Sequence, residues 1–398
     1  MTTLLVAPRG LKGLVVADTT IGSVMGDQGF YHYRQYNATD LARTQRFEAV
    51  AEWLIDGTGV EPPDPRGWPD DPLDDPAPLG FSSPPDSPGA LMAAARTLPT
   101  AVVQLLPLIA GQTRSAQGGL RAVIPVLVDD IPTVDLDRDA IRTHALAVAG
   151  ATPAVLAAIY RASIGRCVLP SNPEWGVAAD YLAMVTGSPP NPVAAKALEI
   201  YLCLTADHGF NASTFTVRVI TSTGAGVGAA LAGAVGALSG PLHGGAPSFV
   251  LDMLDQIGPS ERTEAWVAQQ LDAGKPIMGF GHPVYRVGDP RSRLLHNVAE
   301  SLAARGFDPD GLVTRSAEIE QKILDLVAQA KPDAVIATNV EYWAAVVLHL
   351  VGLPRAMFSS TFTVSRMVGW AAHLIEQAGD NKIMRPKARY VGPEPVGV

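Results

Sequence analysis

FTVRVITSTGAGVGAALAGAVGALSGPLHGGA, residues 215 to 246, admits two readings that lead to different folds. Taken from its left end, a β-branched run passes through Gly-Ala-Gly-Val-Gly into a small-residue helix. That is the order of a dinucleotide-binding unit, in which glycines let the backbone approach a pyrophosphate at a helix N-terminus. Such a unit continues into a second strand ending in an acidic residue. This chain runs instead through GPLHGGA into SFVLDMLDQIG, another helical pattern, so a nicotinamide-dependent enzyme remains a remote alternative. The uncharged stretch 224–242 also imitates a membrane span. Its apolar content is nearly all Ala and Gly, and Gly240-Pro241 ends it short of the roughly twenty strongly apolar residues a span needs. A tightly packed core or interface helix is the better reading.

Helical patterns dominate on both sides of this stretch. LMAAARTLPTAVVQLLPLIAG (91–111), DAIRTHALAVAGATPAVLAAIYRAS (139–163) and PVAAKALEIYLCLTADHG (192–209) carry apolar residues at helical spacing between Pro and Gly stops. Residues 40–56, DLARTQRFEAVAEWLID, read as one more helix, and 14–36 as a small hairpin divided by Gly-Asp-Gln-Gly. From 57 to 89 the chain holds ten prolines, which no regular helix survives, so an extended loop or mobile segment is expected there. Convincing strands are scarce. The fold class expected is all-α.

The 398 residues exceed one ordinary core and suggest two domains, or one with a sizeable insertion. With 47% apolar and 17% charged residues the chain has ample material to bury. A net charge of -9 opposes binding to nucleic acid or to an anionic membrane surface, and any acidic ligand must find a local basic cluster. Two cysteines, Cys167 and Cys203, give neither a disulfide framework nor metal-ligand spacing, and are read as buried thiols in a reducing cytoplasm. The N-terminal MTTLLVAPRGLKG lacks the features of a signal peptide.

Chemistry-bearing residues gather in three places. In GPLHGGA, His243 stands just before a helix beginning near Ala246, where the positive end of the helix dipole favours a neutral imidazole. Such an imidazole donates a hydrogen bond without being a strong acid, which suits a developing enolate. In GFGHPVYRVGDPRS (279–292) glycines again lead to an imidazole, His282, followed by Arg286 and by Asp289-Pro290-Arg291, an N-cap, an N1 proline and a cation in a first turn that ordinarily prefers acids. A bound anion would account for that cation; a solvated surface arginine is the rival. In TFTVSRMVGWAAHLIEQ (361–377) the only cation is Arg366, costing several kcal/mol in apolar surroundings unless a carboxylate meets it. Arg385, in IMRPKARY, is a weaker candidate by itself.

Taken together, ADHGFNASTFTVRVITSTGA (206–225), GPLHGGA (240–246), GFGHPVYRVGDPR (279–291), TNVEYWAAVVLHLVGLP (338–354) and SRMVGWAAHLIEQ (365–377) resemble the citrate synthase family. GLVVADTTIGSV (13–24) echoes its early signature, and the matches keep the family's order across nearly the whole chain outside the proline-rich stretch. The resemblance implies an all-α homodimer. Its large domain would comprise 1–244 and the return segment 353–398, with a small domain at 245–352. It implies an oxaloacetate site built from His208, His243, His282, Arg291, Arg366 and Arg385 of the partner subunit. Bidentate arginines suit a ligand with two carboxylates. Coenzyme A, a co-substrate rather than a resident cofactor, would contact Ile277, Met278, Gly279, Phe280, Gly281 and Arg286. No metal is implied.

The implied reaction is a condensation of acetyl-CoA with oxaloacetate followed by hydrolysis of citryl-CoA. His243 would hydrogen-bond the thioester oxygen and His282 would polarise the oxaloacetate carbonyl. Where the family has Asn-Val-Asp at its base, this chain has Asn339-Val340-Glu341. Asn339 is placed to cap a helix, and in its first turn Glu341 is expected to stay ionised. Its extra methylene displaces the carboxylate by roughly 1 Å, which costs on the order of 100-fold unless the backbone compensates. Two alternatives stand beside this one: 2-methylcitrate synthase using propionyl-CoA, and a weakly active relative used for binding or regulation. Intact His243, His282, Arg291 and Arg366 count against the second. The chain starts at the first recognisable segment, so a plain dimer without a further N-terminal domain is expected.

Overall fold

The computed structural model describes residues 6–61, 70–74, 79–241, 243–244, 246–281, 285, 287–330 and 336–394. Among them are a short antiparallel sheet, β1 (Gly22–Met25), β2 (Phe30–Tyr33) and β3 (Tyr36–Asn37), and sixteen α-helices. The helices are α1 (Ala38–Thr44), α2 (Phe47–Asp56), α3 (Pro88–Ala95), α4 (Thr100–Gln112), α5 (Ala116–Val123), α6 (Arg138–Ser163), α7 (Val177–Thr186) and α8 (Pro192–Thr205). They continue with α9 (Ala212–Ser222), α10 (Val227–Leu238), α11 (Ala246–Ile257), α12 (Thr263–Asp272), α13 (Pro290–Ala304), α14 (Leu312–Ala330), α15 (Val340–Leu350) and α16 (Phe358–Gly379). The fold is predominantly helical.

Helices α6 and α16 pack against each other at the centre, and α16 also touches α2, α5, α8, α9, α10 and α11. Helix α6 has the length and hydropathy of a membrane span, but 78% of its most apolar stretch is buried inside the protein. Helices α11 to α15 pack mainly on one another, with α13 and α15 meeting α8, and α11 meeting α16.

The stretch that opened the sequence analysis is helical on both sides of its glycines. The β-branched run 215–222 belongs to α9, not to a strand, which removes the dinucleotide unit. Asn211 Oδ1 accepts from Ser213 N and Thr214 N, each at 3.1 Å, and starts the helix. Thr216 and Thr221 return their hydroxyls to carbonyls one turn back, so their polar groups are satisfied within it. Packing against α10 and α16 then overrides the strand preference of Val, Ile and Thr. Helix α10, at 12 residues, is a core helix with Val227, Leu231, Val235 and Leu238 buried.

Two further expectations are corrected and one is refined. The predicted helix over 40–56 is broken at Gln45-Arg46, both extended, because the Phe47 N–H turns to the buried Glu199 carboxylate. The described parts of the proline-rich segment form an extended loop, as expected, and are pinned to their surroundings. Arg46 donates to Gly80 O at 2.7 Å, Phe81 N to Glu174 O at 2.7 Å, and Asp71 accepts from Ser301 of α13 and from Arg305, which follows that helix, at 2.5 Å each. Finally, Cys203 is buried as expected but Cys167 is exposed, since the chain leaves α6 at Ser163 and runs over the surface.

The hairpin becomes a three-stranded meander with a 3-10 turn, Gly26–Gln28, at its first corner. Gly22 is required in β1: a Cβ there would lie 2.2 Å from His32 O. Alternation along β2 turns Tyr31 and Tyr33 inward, where their hydroxyls donate to Leu204 O (3.0 Å) and Cys203 O (2.8 Å) at the end of α8. The sheet thereby braces the turn that follows α8, which carries His208.

Candidate active site

Five chain segments converge on one cluster. The α8–α9 turn supplies His208, the α10–α11 turn His243, the start of α13 Asp289 and Arg291, the start of α15 Glu341, and the middle of α16 Arg366. Close approach makes this possible. At Gly369 of α16 a Cβ would stand 2.3 Å from Ala206 O, so glycine alone lets the turn lie against the helix one turn from Arg366.

Arg366 is 2% exposed. Its Nε donates to Thr205 O at 2.9 Å and its guanidinium lies 4.8 Å from the Phe362 ring centroid. Among the described residues no carboxylate comes within ion-pair distance of it. Burial therefore lowers its proton affinity, with Asp207 offsetting part of that effect. Such a cation costs several kcal/mol until an anion meets it.

His243 lies just before α11, as expected. Its Nε2 is 2.8 Å from Ser213 Oγ, which also accepts from Trp370 Nε1 at 3.2 Å. Its pKa is lowered to about 4, first by burial and then by the charge of Arg366. The neutral imidazole was foreseen; its cause is burial beside a cation rather than the helix end.

Glu341 is the reverse. Asn339 caps α15, its Oδ1 accepting from Glu341 N at 3.0 Å, as the sequence suggested. The carboxyl does not stay at an ordinary acid value: burial raises its pKa to about 7, with Arg291 and Arg366 pulling down and Asp289 pushing up. Desolvation outweighs the helix end here. Arg366 acts on both His243 and Glu341, so the imidazole and the carboxyl share one cationic neighbour.

Arg291 is not a solvated surface residue. It is 3% exposed and forms a bidentate pair with Asp289, Nε to Oδ1 at 2.9 Å and Nη2 to Oδ2 at 2.7 Å. The rings of Tyr31 and Tyr285 lie 5.8 and 5.9 Å from its guanidinium. His208 Nε2 is 2.9 Å from the Tyr285 hydroxyl, and its ring lies 5.4 Å from that of Tyr31.

The stretch Ile277, Met278, Gly279, Phe280, Gly281 runs beside the residues leading into α15. Asn339 N donates to Gly279 O at 2.9 Å, Gly281 N to Ala337 O at 2.8 Å, and Asn339 Nδ2 to Gly281 O at 3.0 Å. Part of its backbone is thus already paired. Arg385 is exposed on the tail, where it lines a groove of about 700 Å³ with Leu14, Val16, Phe215 and Arg218. Met384 N donates to Ser222 Oγ at 3.0 Å, at the far end of α9 from Ser213, about 14 Å along the helix at ~1.5 Å per residue. Within one chain Arg385 does not join the cluster. His282 and Arg286 lie outside the described residues.

Sequence reasoning missed Ser213, Tyr31, Tyr285 and the carboxylate role of Asp289. Ser213 was findable as the second residue after the Asn211 cap. The tyrosines gave no signal, because only the packing of the N-terminal sheet brings Tyr31 to Arg291.

Comparison with known proteins decides the family. The family model described as "Citrate synthase, C-terminal domain" matches residues 10–387. The chain belongs to the citrate synthase family. It is 37% identical over 396 residues to "Putative citrate synthase 2" of Mycobacterium tuberculosis, covering 97% of this chain and 93% of that protein. It is 33% identical to the "Citrate synthase" of Haloferax volcanii (96% and 95% covered) and 32% identical to "2-methylcitrate synthase 2" of Corynebacterium glutamicum (97% and 95% covered). The crystal structure of citrate synthase from Thermotoga maritima aligns with a TM-score of 0.78 at 29% identity, covering 98% of this chain and 97% of that one. The protein is an acyltransferase of the citrate synthase type, with the helical fold of that family.

Proposed function

We propose that the cluster condenses acetyl-CoA with oxaloacetate, with Glu341 as the base. Glu341 removes a proton from the acetyl methyl group while neutral His243 donates to the thioester oxygen. Ser213 Oγ accepts from Trp370 and holds His243 Nε2 at 2.8 Å; its one hydrogen has two acceptors, Asn211 Oδ1 and Nε2, and when it goes to Nε2 the other ring nitrogen carries the proton. The enol then attacks the oxaloacetate carbonyl, with His282 polarising it on the strength of the resemblance, and water releases citrate and coenzyme A. Arg291 and Arg366 clamp the carboxylates beside His208, with Arg385 of the partner subunit completing the ring in a homodimer. Coenzyme A contacts the edge of 277–281 not already paired, and Arg286. The 245–352 region closes over the substrates to exclude water from the enol.

One observation carries this reading. Arg366 is a buried cation lacking a carboxylate partner among the described residues, and it faces both a neutral imidazole and a carboxyl that titrates near neutrality. A dicarboxylate would neutralise it where the acid and base meet. Free thiol release from acetyl-CoA and from propionyl-CoA, each with and without oxaloacetate, tests it. Oxaloacetate-dependent release is expected with acetyl-CoA, and release without oxaloacetate would overturn it. A higher kcat/KM with propionyl-CoA would favour 2-methylcitrate synthesis, the activity named for the Corynebacterium relative. One methylene in a pocket is worth about 1 to 3 kcal/mol.

A further inference from the structure

Asp289 makes more contacts than a helix cap requires. Its Oδ1 accepts from Arg291 N (3.0 Å) and Arg291 Nε (2.9 Å), and its Oδ2 from Arg291 Nη2 (2.7 Å) and Val340 N (3.1 Å). The first of these caps α13 and would be met equally by Asn or Ser. The bidentate pair requires a carboxylate. The last crosses 51 residues of sequence to the first turn of α15, the turn that presents Glu341. The residue is 3% exposed, so these bonds operate out of bulk water.

We propose that Asp289 is a positioning residue that locks Arg291 and the start of α15 into one unit, so that the substrate clamp and the base hold a fixed mutual geometry. This rests on the assignment of Glu341 as base and Arg291 as clamp. The pair with Asp289 uses Nε and one Nη2 hydrogen of the guanidinium and directs the remaining edge elsewhere, fixing the plane on which a substrate carboxylate can dock. Glu341 sits one residue beyond the Val340 N–H that Asp289 holds. A shift of either anchor would therefore displace the base relative to the clamp, and misplacement by about 1 Å costs on the order of 100-fold. The charged and titratable groups acting on Glu341 are Asp289 and Arg291 from α13 and Arg366 from α16, and Glu341 in turn acts on Tyr201 of α8. Removing the Asp289 charge leaves two cations facing the carboxyl and favours its ionised form.

Asp289→Asn keeps the cap and the shape but loses the bidentate pair and the charge. We expect the oxaloacetate KM to rise and kcat to fall, each about tenfold or more, and the acid limb of kcat/KM to move to lower pH. Val340→Pro removes the α15 bond alone, at an N1 position where proline is accommodated. It should lower kcat about tenfold while leaving the oxaloacetate KM within about twofold, and it serves if Asp289→Asn does not fold. Asp289→Asn with a lowered melting temperature but an unmoved acid limb and an unchanged oxaloacetate KM would overturn the proposal, as would Val340→Pro at full kcat. The prior assignment fails differently: Glu341→Gln would then stay active and the wild-type protein would lack the acid limb.

Discussion

Burial acts on Glu341 and His243 in opposite senses, because it penalises whichever form is charged: the carboxyl is raised to about 7 and the imidazole lowered to about 4. Above pH 5 the His243 imidazole is neutral and contributes no acid limb between 5 and 8, the range in which Glu341 titrates. A raised carboxyl is protonated, and useless as a base, below its pKa. We expect kcat/KM to fall about tenfold per pH unit below about 7 and to level above about 8, measured in steady state. Glu341→Gln should lower kcat by roughly 100- to 10,000-fold with the oxaloacetate KM nearly unchanged. Arg366→Gln should instead act mainly through the oxaloacetate KM, raising it at least about tenfold, while relieving the free protein of a buried cation; an unchanged KM would remove Arg366 from the clamp. Much of this was legible in advance. An arginine alone among Phe, Val, Met and Trp announces an anion, and a histidine wrapped in glycine announces a ligand. The direction of the Glu341 shift was not, since a first-turn position predicts an ionised carboxylate and only the surrounding mass of side chains reverses it.

Among the elements, those that start on side-chain caps were the readable ones. Asp289-Pro290 opening α13 and Asn339 opening α15 stand where the sequence put them, because a cap is decided by neighbours two or three residues away. The break between α1 and α2 was not readable, because Phe47 answers to a carboxylate some 150 residues on. The proline-rich segment was legible as a loop, but not its anchors, for the same reason. Its Asp71 meets Ser301 and Arg305, and Asp74 adds a 2.7 Å bond to Arg305. These groups are partly exposed, so their value is modest. A double-mutant cycle of Asp71→Ala and Arg305→Ala by denaturant unfolding should give a coupling of about 1 kcal/mol, shrinking with added salt. A coupling near zero would mean that the segment rests on α13 without holding it.

For the whole molecule, the position of Arg385 on the exposed tail that meets α9 at Ser222 has a consequence at the level of assembly. If Arg385 serves the partner's site, two inactive variants can repair one another. Mixed subunits of Glu341→Gln and Arg385→Ala form hybrids in which one site carries both lesions and the other neither. Random mixing should restore about a quarter of wild-type activity, read by thiol release after subunit exchange. No recovery despite proven hybrids would place Arg385 outside the site.

By itself the sequence determined the helical class and the family, and it nominated the acids, bases and guanidinium groups proposed for the site. Those features are written in local spacing, in glycines flanking histidines and in caps beside charged residues, and local forces suffice to express them. Tertiary structure alone decided that β-branched 215–222 is a helix, that Tyr31 stands over Arg291, that Asp289 joins two helices, and that Glu341 titrates near pH 7. Each depends on desolvation or on contact between residues far apart in the chain, and no spacing along the chain encodes how deeply a group will be buried.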